Sequence, residues 1–152
     1  MSKERDIFTR TKVAELINDA RAAGLEGVEL LNGDTNAIAA QYNGIGPEFL
    51  SGEIRDKVTR FLAVFEPAAL IHDVRYATGD GSRFAFNLAN MEFRANCLAL
   101  ARRAYPWWRF VRRFLAENAA LLLYKAVSSY LGWVAYRKAC TRPVASDARP
   151  VA

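Results

Sequence analysis

Apolar residues recur every three or four positions along most of the chain, which is the spacing of amphipathic α-helices. The first such pattern covers residues 6–23 and stops at Gly24, a residue typical of helix ends. Its apolar stripe consists of Ile7, Val13, Leu16, Ile17 and Ala20. Residues 24–50 contain five glycines, Pro47 and several asparagine and aspartate residues, so we expect a loop there.

A second helical pattern follows Ser51, a suitable N-cap, and its apolar positions are Ile54, Val58, Phe61, Leu62 and Phe65. Pro67 is well placed to begin a third helix over about 67–78. The sequence TGDG then predicts a turn, and Ser82 is expected to cap a fourth helix that runs to about Ala104. Beyond Pro106 lies a last long helical region, about 107–139. No strand pattern of useful length occurs, so the predicted class is mostly α.

The 152 residues suffice for one domain with a real core, which we expect to span residues 1–140. The remaining residues, 141–152, are expected to be disordered. Cys97 and Cys140 lie far apart, and with a single histidine they do not form a zinc motif. A disulfide framework is not expected, which favours a reducing compartment. No signal peptide or membrane span is evident, which favours a cytoplasmic location.

The net charge of +5 is concentrated in one stretch, RRAYPWWRFVRR at residues 102–113, which has five arginines and no acidic residue. This composition suits an anionic surface of lipid headgroups, nucleic acid or acidic protein. One interpretation is that residues 105–114 form a helix that packs its aromatic side chains inward and leaves its arginines in water. The other is a phospholipid membrane surface contacted by Trp107, Trp108, Arg109, Arg112 and Arg113. No known nucleic-acid-binding module supports the nucleic-acid alternative.

Candidate chemistry begins with LIHDVRY at residues 70–76, which contains the only histidine. His72 and Tyr76 are four residues apart, so they share one face of the predicted third helix, and Asp73 lies about a quarter-turn away. A base and an acidic ligand on neighbouring faces could address one substrate from two sides. Taken alone, the motif is short enough to recur by chance, and a structural histidine is the better explanation.

Upstream, YNGIGPE at residues 42–48 places Gly44 and Gly46 shortly after Tyr42. Glycines allow the backbone to approach a ligand closely. Backbone carbonyls together with a carboxylate are ligands that Ca²⁺ accepts. The alternative explanation is an ordinary glycine- and proline-containing turn.

The order Y-x-G-x-G-P, then H-D-x-x-Y, then LANMEFRANCL at residues 88–98 resembles the phospholipase A2 superfamily. The similarity is greatest to its disulfide-free members, the domains carried in parvovirus capsids and small prokaryotic relatives. It covers about residues 42–98. The resemblance implies a cytoplasmic or virion-associated protein that acts at a membrane surface. The resemblance implies an antiparallel helix pair with a glycine-rich calcium loop, to which this chain adds a C-terminal helical region.

The resemblance also implies a role for each matched residue. Backbone carbonyls of Tyr42, Gly44 and Gly46, with the carboxylate of Asp73, would hold Ca²⁺. His72 would take a proton from the water that attacks the sn-2 ester carbonyl of a phospholipid. Tyr76 would orient the hydrogen-bond partner of the histidine.

Two departures from the family pattern stand out. Where the family has an aspartate behind the histidine, this chain has Asn90, whose carbonyl can hold the neutral imidazole but cannot stabilise an imidazolium by charge. The base should therefore be weaker, and an Asn90→Asp variant should be faster. Glu92 lies about 200° around the helix from Asn90 and is a poor substitute. The segment between Gly46 and His72 is also longer than expected.

Three classes of function remain open at this point. The first is a Ca²⁺-dependent phospholipase A2-like hydrolase. The second is a structural or interaction protein on a phospholipase A2-like scaffold, such as a component of a viral or phage particle. The third is nucleic-acid binding through residues 102–113. For the first two, helices 67–78 and 82–104 should form an antiparallel hairpin that brings His72 against Asn90.

Overall fold

The computed structural model describes residues 2–42 and 60–141, with side chains from Thr9 onward. These residues form six α-helices: α1 (Ser2–Ala22), α2 (Thr35–Gln41), α3 (Glu66–Ala77), α4 (Arg83–Ala104), α5 (Phe110–Val127) and α6 (Tyr130–Cys140). Short 3₁₀ helices occur at Val28–Asn32, Ala63–Phe65 and Trp107–Arg109. The described ranges contain no strand, which confirms the mostly α class. The predictions for Gly44, Gly46, Ser51, Ile54, Val58 and the tail 142–152 lie outside the described residues.

Helix α1 contributes four residues of the predicted apolar stripe to the core, and the side chain of Ile7 lies outside the described part of the chain. Val13 and Ala20 are fully buried, and Leu16 and Ile17 are nearly so. The helix ends where predicted, because Gly24 adopts a φ of 60°, a left-handed conformation that glycine accepts without steric cost.

The prediction of a loop throughout residues 24–50 is wrong for part of that range. The 3₁₀ helix Val28–Asn32 buries Leu31, and α2 follows it directly. Asp34 caps α2 by accepting a hydrogen bond from the backbone N–H of Asn36 at 3.2 Å. Ile38 is then buried against the core. One cap and one buried side chain suffice for this short helix because the core stabilises it.

Helices α3 and α4 form an antiparallel hairpin around the five-residue turn 78–82. The ring of Tyr76 lies near Phe86, and His72, one turn earlier, meets Asn90, one turn later. Ser82 caps α4 as predicted, with its hydroxyl accepting from the N–H of Ala85 at 3.1 Å. Residues 66–72 of α3 are all buried, so α3 is the central helix of the fold.

A second polar contact holds the segment after α1 against α4. The Asn96 side chain accepts from the N–H of Glu26 at 2.8 Å and donates to the carbonyl of the same residue at 2.9 Å. Next to it, Gly27 has a φ of 80°, and a Cβ there would overlap the Glu92 carboxylate and Ile71. This close approach fixes how the loop crosses the α3–α4 pair.

The C-terminal helical region is divided into α5 and α6, with a break at residues 128–129. Helix α5 returns along α4 and buries two small residues, Ala116 and Ala120. Ser129 caps α6 by accepting from the N–H of Gly132 at 3.3 Å. Helix α6 then buries Tyr136, whose hydroxyl accepts from the N–H of Gly81 at 3.1 Å. The last helix is thereby fastened to the turn between α3 and α4.

Candidate functional site

His72 and Asn90 are in contact, as the hairpin prediction required. The Nε2 atom of His72 lies 2.9 Å from Oδ1 of Asn90. Both side chains are buried, with exposed fractions of 6% and 1%. The contact follows from the chain geometry, because the two residues lie at similar distances from the turn on antiparallel helices.

Tyr76 completes this polar cluster. Its hydroxyl donates to Oδ1 of Asn90 at 2.8 Å, so one amide oxygen accepts from two side chains of α3. The ring of His72 also packs between two aromatic rings, with centroid distances of 4.0 Å to Tyr76 and 4.7 Å to Phe93. The imidazole is therefore held in one orientation by hydrogen bonding at its edge and by packing on its faces.

The hydrogen bond to Asn90 determines which ring nitrogen of His72 is basic. A carbonyl oxygen only accepts, so Nε2 must carry the proton. In the neutral imidazole the lone pair is then on Nδ1, the atom that could accept a proton from a substrate or water. This is the tautomer that a general base held from behind requires.

Burial lowers the pKa of His72 from its ordinary value of 6.5 to about 4, although the hydrogen bond that the imidazole donates to Asn90 acts in the opposite direction. The imidazole is therefore neutral at pH 7 and available as a base. Its low basicity makes proton transfer to it less favourable than transfer to an ordinary histidine.

Two of the four predicted calcium ligands, Tyr42 and Asp73, are described. Tyr42 follows the last residue of α2, and Asp73 is half-buried on α3. Burial raises the pKa of the Tyr42 phenol, and the charges of Glu66 and Asp73 act in the same direction.

The predicted donor types, one carboxylate with backbone carbonyls, are ones that a hard cation accepts. Among the described residues, no group of three or more histidine, cysteine, aspartate or glutamate side chains could hold a metal ion. A calcium site here would thus depend on backbone carbonyls, as the sequence prediction proposed for Gly44 and Gly46.

Glu92 is engaged elsewhere, which supports its exclusion as the partner of His72. Its carboxylate accepts from Nε and Nη2 of Arg75 at 3.1 and 2.8 Å. This two-point ion pair faces Gly27 and the loop after α1.

One member of the site was missed by the sequence analysis. The carbonyl of Val127, at the end of α5, lies 3.5 Å from Nδ2 of Asn90 and 3.3 Å from the Tyr76 hydroxyl. A backbone oxygen has no sequence signal of its own. The adjacent serine pair, Ser128–Ser129, could have indicated a helix end at this point.

The aromatic and basic residues after α4 form an exposed surface, here called the Trp–Arg surface. It consists of Trp107, Trp108, Arg109, Phe110, Val111, Arg112, Arg113 and Phe114. The two tryptophans are 76% and 65% exposed, and Phe110 is 72% exposed. The interpretation in which the aromatics pack inward is therefore wrong for the tryptophans and phenylalanines, whereas Tyr105 is half-buried against the core. Helix α5 packs on α4 through its alanines, further along the chain, so the aromatic positions remain in solvent.

Charge on this surface is partly balanced. Glu117 accepts from both Arg102 and Arg113 at 3.1 Å. Arg109 and Arg112 form no ion pair with any described residue. The surface thus combines exposed indole rings with net positive charge.

Within the described ranges, none of the helices has the length and apolar character needed to cross a membrane. A cavity of about 510 Å³ lies between α1, the start of α3 and the end of α4, lined in part by Lys12, Glu66 and Arg103. None of the predicted site residues that the structure describes lines it.

No protein-family model, no curated protein and no solved structure matches this chain. The resemblance to phospholipases A2 therefore remains a prediction from the three sequence motifs.

The lowered pKa of His72 predicts a specific loss of stability in acid. Below pH 6.5 the unfolded chain binds a proton at His72 that the folded protein excludes until about pH 4. Between these values this residue should reduce the free energy of unfolding by roughly 3 kcal/mol. Denaturant unfolding of wild type and His72→Gln, in EDTA from pH 8 to pH 4, would measure the difference in slope. Parallel curves for the two proteins would contradict the prediction.

Proposed function

We propose that this protein hydrolyses the sn-2 ester of phospholipids, with His72 as the general base and Ca²⁺ as the cofactor. The observation that supports this most is the hydrogen bond from His72 Nε2 to Asn90, because it leaves Nδ1 as the basic atom. The order of the three sequence motifs supplies the reaction class.

In the proposed reaction, Nδ1 of His72 takes a proton from water while the water oxygen adds to the ester carbonyl. The carbon–oxygen bond to glycerol then breaks, and the proton on Nδ1 passes to the leaving alkoxide. The products are a fatty acid and a lysophospholipid. Asn90 and Tyr76 keep the imidazole oriented throughout, and the weak basicity of His72 implies slow turnover.

When bound, Ca²⁺ would polarise the ester carbonyl and stabilise its developing negative charge. The residues that would hold it are Tyr42, Gly44 and Gly46, through backbone carbonyls, and Asp73, through its carboxylate. One carboxylate and a few carbonyls make a site of low charge, so we expect a Kd of about 10⁻⁴–10⁻³ M.

The Trp–Arg surface supports a membrane as the place of reaction. Exposed tryptophans suit the boundary between lipid headgroups and acyl chains, and arginines pair with lipid phosphates. The protein would lie on the bilayer, with these side chains in the headgroup region.

One observation favours a second candidate, an interaction or structural protein, such as a viral or phage particle component, on the same scaffold. His72 is only 6% exposed and is packed between Tyr76 and Phe93, as a purely structural histidine would be. Under this alternative the polar cluster specifies the helix pairing and performs no chemistry.

Hydrolysis of phospholipid vesicles distinguishes the two candidates. We expect wild type to release fatty acid slowly in millimolar Ca²⁺ and His72→Ala to lose about 10²-fold or more of that rate, since general bases contribute 10²–10⁴-fold. Arg75→Ala, which disturbs the neighbouring ion pair and leaves His72 in place, is the control and should remain active. Equal rates for wild type and a folded His72→Ala would refute the enzyme proposal and leave the scaffold.

Calcium binding can be tested separately by thermal unfolding. Wild type should be stabilised by added Ca²⁺, by about 2.7 kcal/mol at a hundredfold excess over Kd. Asp73→Asn should remove this stabilisation because it deletes the carboxylate ligand. Asp19→Asn makes the same charge change at an exposed position on α1 and should keep it. An undiminished calcium shift in Asp73→Asn would place the ion elsewhere.

Membrane binding should depend on the Trp–Arg surface. Co-sedimentation with anionic vesicles should fall when Trp107 and Trp108 are both changed to alanine. Neutralising Arg109 and Arg112 should weaken it further, by about 1 kcal/mol for each charge. The matched control is the double variant Tyr130→Ala and Leu131→Ala. It removes two apolar side chains of α6 that are 75% and 77% exposed, close to the 76% of Trp107. Binding that is lost equally in the control would argue against a specific surface.

A further inference from the structure

The Asn90 side chain has two chemically different ends, and the structure uses both. Oδ1 accepts from His72 Nε2 at 2.9 Å and from the Tyr76 hydroxyl at 2.8 Å. Nδ2 lies 3.5 Å from the carbonyl oxygen of Val127, which can only accept.

Rotating the amide by 180° would reverse these relations. Nδ2 would then face His72, and Oδ1 would face the Val127 carbonyl, placing two acceptors against each other in the core. His72 would have to accept at Nε2 and carry its proton on Nδ1, which is the wrong tautomer for the proposed base. The position of the Val127 carbonyl therefore decides between the two tautomers.

This carbonyl is available because α5 ends there. The last carbonyls of a helix have no partner within it. The next two backbone N–H groups donate to other residues, Ser128 to Tyr124 and Ser129 to Ala126. The Val127 oxygen is thus directed at Asn90 and Tyr76.

Gly132, in the first turn of α6, makes this arrangement sterically possible. A Cβ at position 132 would overlap the carbonyl oxygen of Val127. Its backbone conformation is helical, so the absence of a side chain matters here for space and not for φ.

We infer that the Val127 carbonyl, given room by Gly132, positions Asn90 and so fixes the proton of His72 on Nε2. The inference rests on the proposed role of His72 as the base. It also accounts for asparagine at position 90, because an aspartate would present a carboxylate oxygen to the Val127 carbonyl. In an Asn90→Asp enzyme this repulsion would oppose the gain in rate that the added charge is expected to give.

The test is the protonation state of the two ring nitrogens at a fixed pH of 7. His72 is the only histidine, so ¹⁵N-histidine labelling gives one unambiguous pair of nitrogen signals. Wild type should show a protonated Nε2 and an unprotonated Nδ1. Gly132→Ala should displace the carbonyl and shift both signals towards a tautomer mixture. Gly33→Ala is the matched control, because a Cβ there meets nothing within 4 Å.

Vesicle hydrolysis by Gly132→Ala should fall by roughly tenfold or more, since a wrong histidine tautomer costs about 10⁴-fold in a serine protease triad. If Gly132→Ala does not fold, Ser129→Ala replaces it, because losing this cap loosens the same junction.

A wild type protonated on Nδ1, or a folded junction variant with wild-type nitrogen signals, would overturn the inference. If the nitrogen signals change in the junction variant but wild type hydrolyses no lipid, the positioning role stands and the proposed function is rejected. If wild type shows His72-dependent hydrolysis but the signals of the variant do not change, the proposed function stands and the positioning role is rejected.

Discussion

The buried amide of Asn90 is the constraint on which the arrangement of the helices depends. It lies on α4 and bonds to two side chains of α3, while its nitrogen faces the end of α5. Apolar contacts tolerate small rotations of a helix, whereas these hydrogen bonds do not. Leaving one such buried group unsatisfied costs about 1–3 kcal/mol, a considerable share of the stability of a domain of this size. The amide therefore couples the rotation of α3 and α4 to the position where α5 ends.

The same constraint has two chemical effects on His72. It selects the tautomer with a basic Nδ1, and the burial that accompanies it lowers the pKa to about 4. Orientation and basicity are thus opposed in this site, because the apolar surroundings that exclude alternative geometries also disfavour the imidazolium. An anionic partner would raise the pKa of His72 while still orienting the ring, but the Val127 carbonyl makes an anion at position 90 unfavourable.

The sequence predicted those parts of the structure that depend on residues close together in the chain, such as helix ends and the contact across the hairpin. Gly24 and Ser82 act on residues within one turn, and the contact between His72 and Asn90 follows from counting along both arms of a short hairpin. Helix α2 was missed because seven residues with one buried side chain show little periodicity. The outward orientation of Trp107 and Phe110 was not predictable, since apolar residues occur on every side of this segment. The Val127 carbonyl is a backbone atom, and its part in the site depends on the tertiary placement of α5.

The sequence separation of these contacts bears on the order in which the protein folds. His72 and Asn90 are 18 residues apart, whereas Tyr76 and Val127 are 51 apart. Since the entropic cost of closing a loop increases with its length, the α3–α4 hairpin should form before α5 and α6 join it. During synthesis the hairpin also leaves the ribosome first. The pairing of the Asn90 nitrogen is then a late event, so the core reaches its final hydrogen-bonded state only when the C-terminal helices dock.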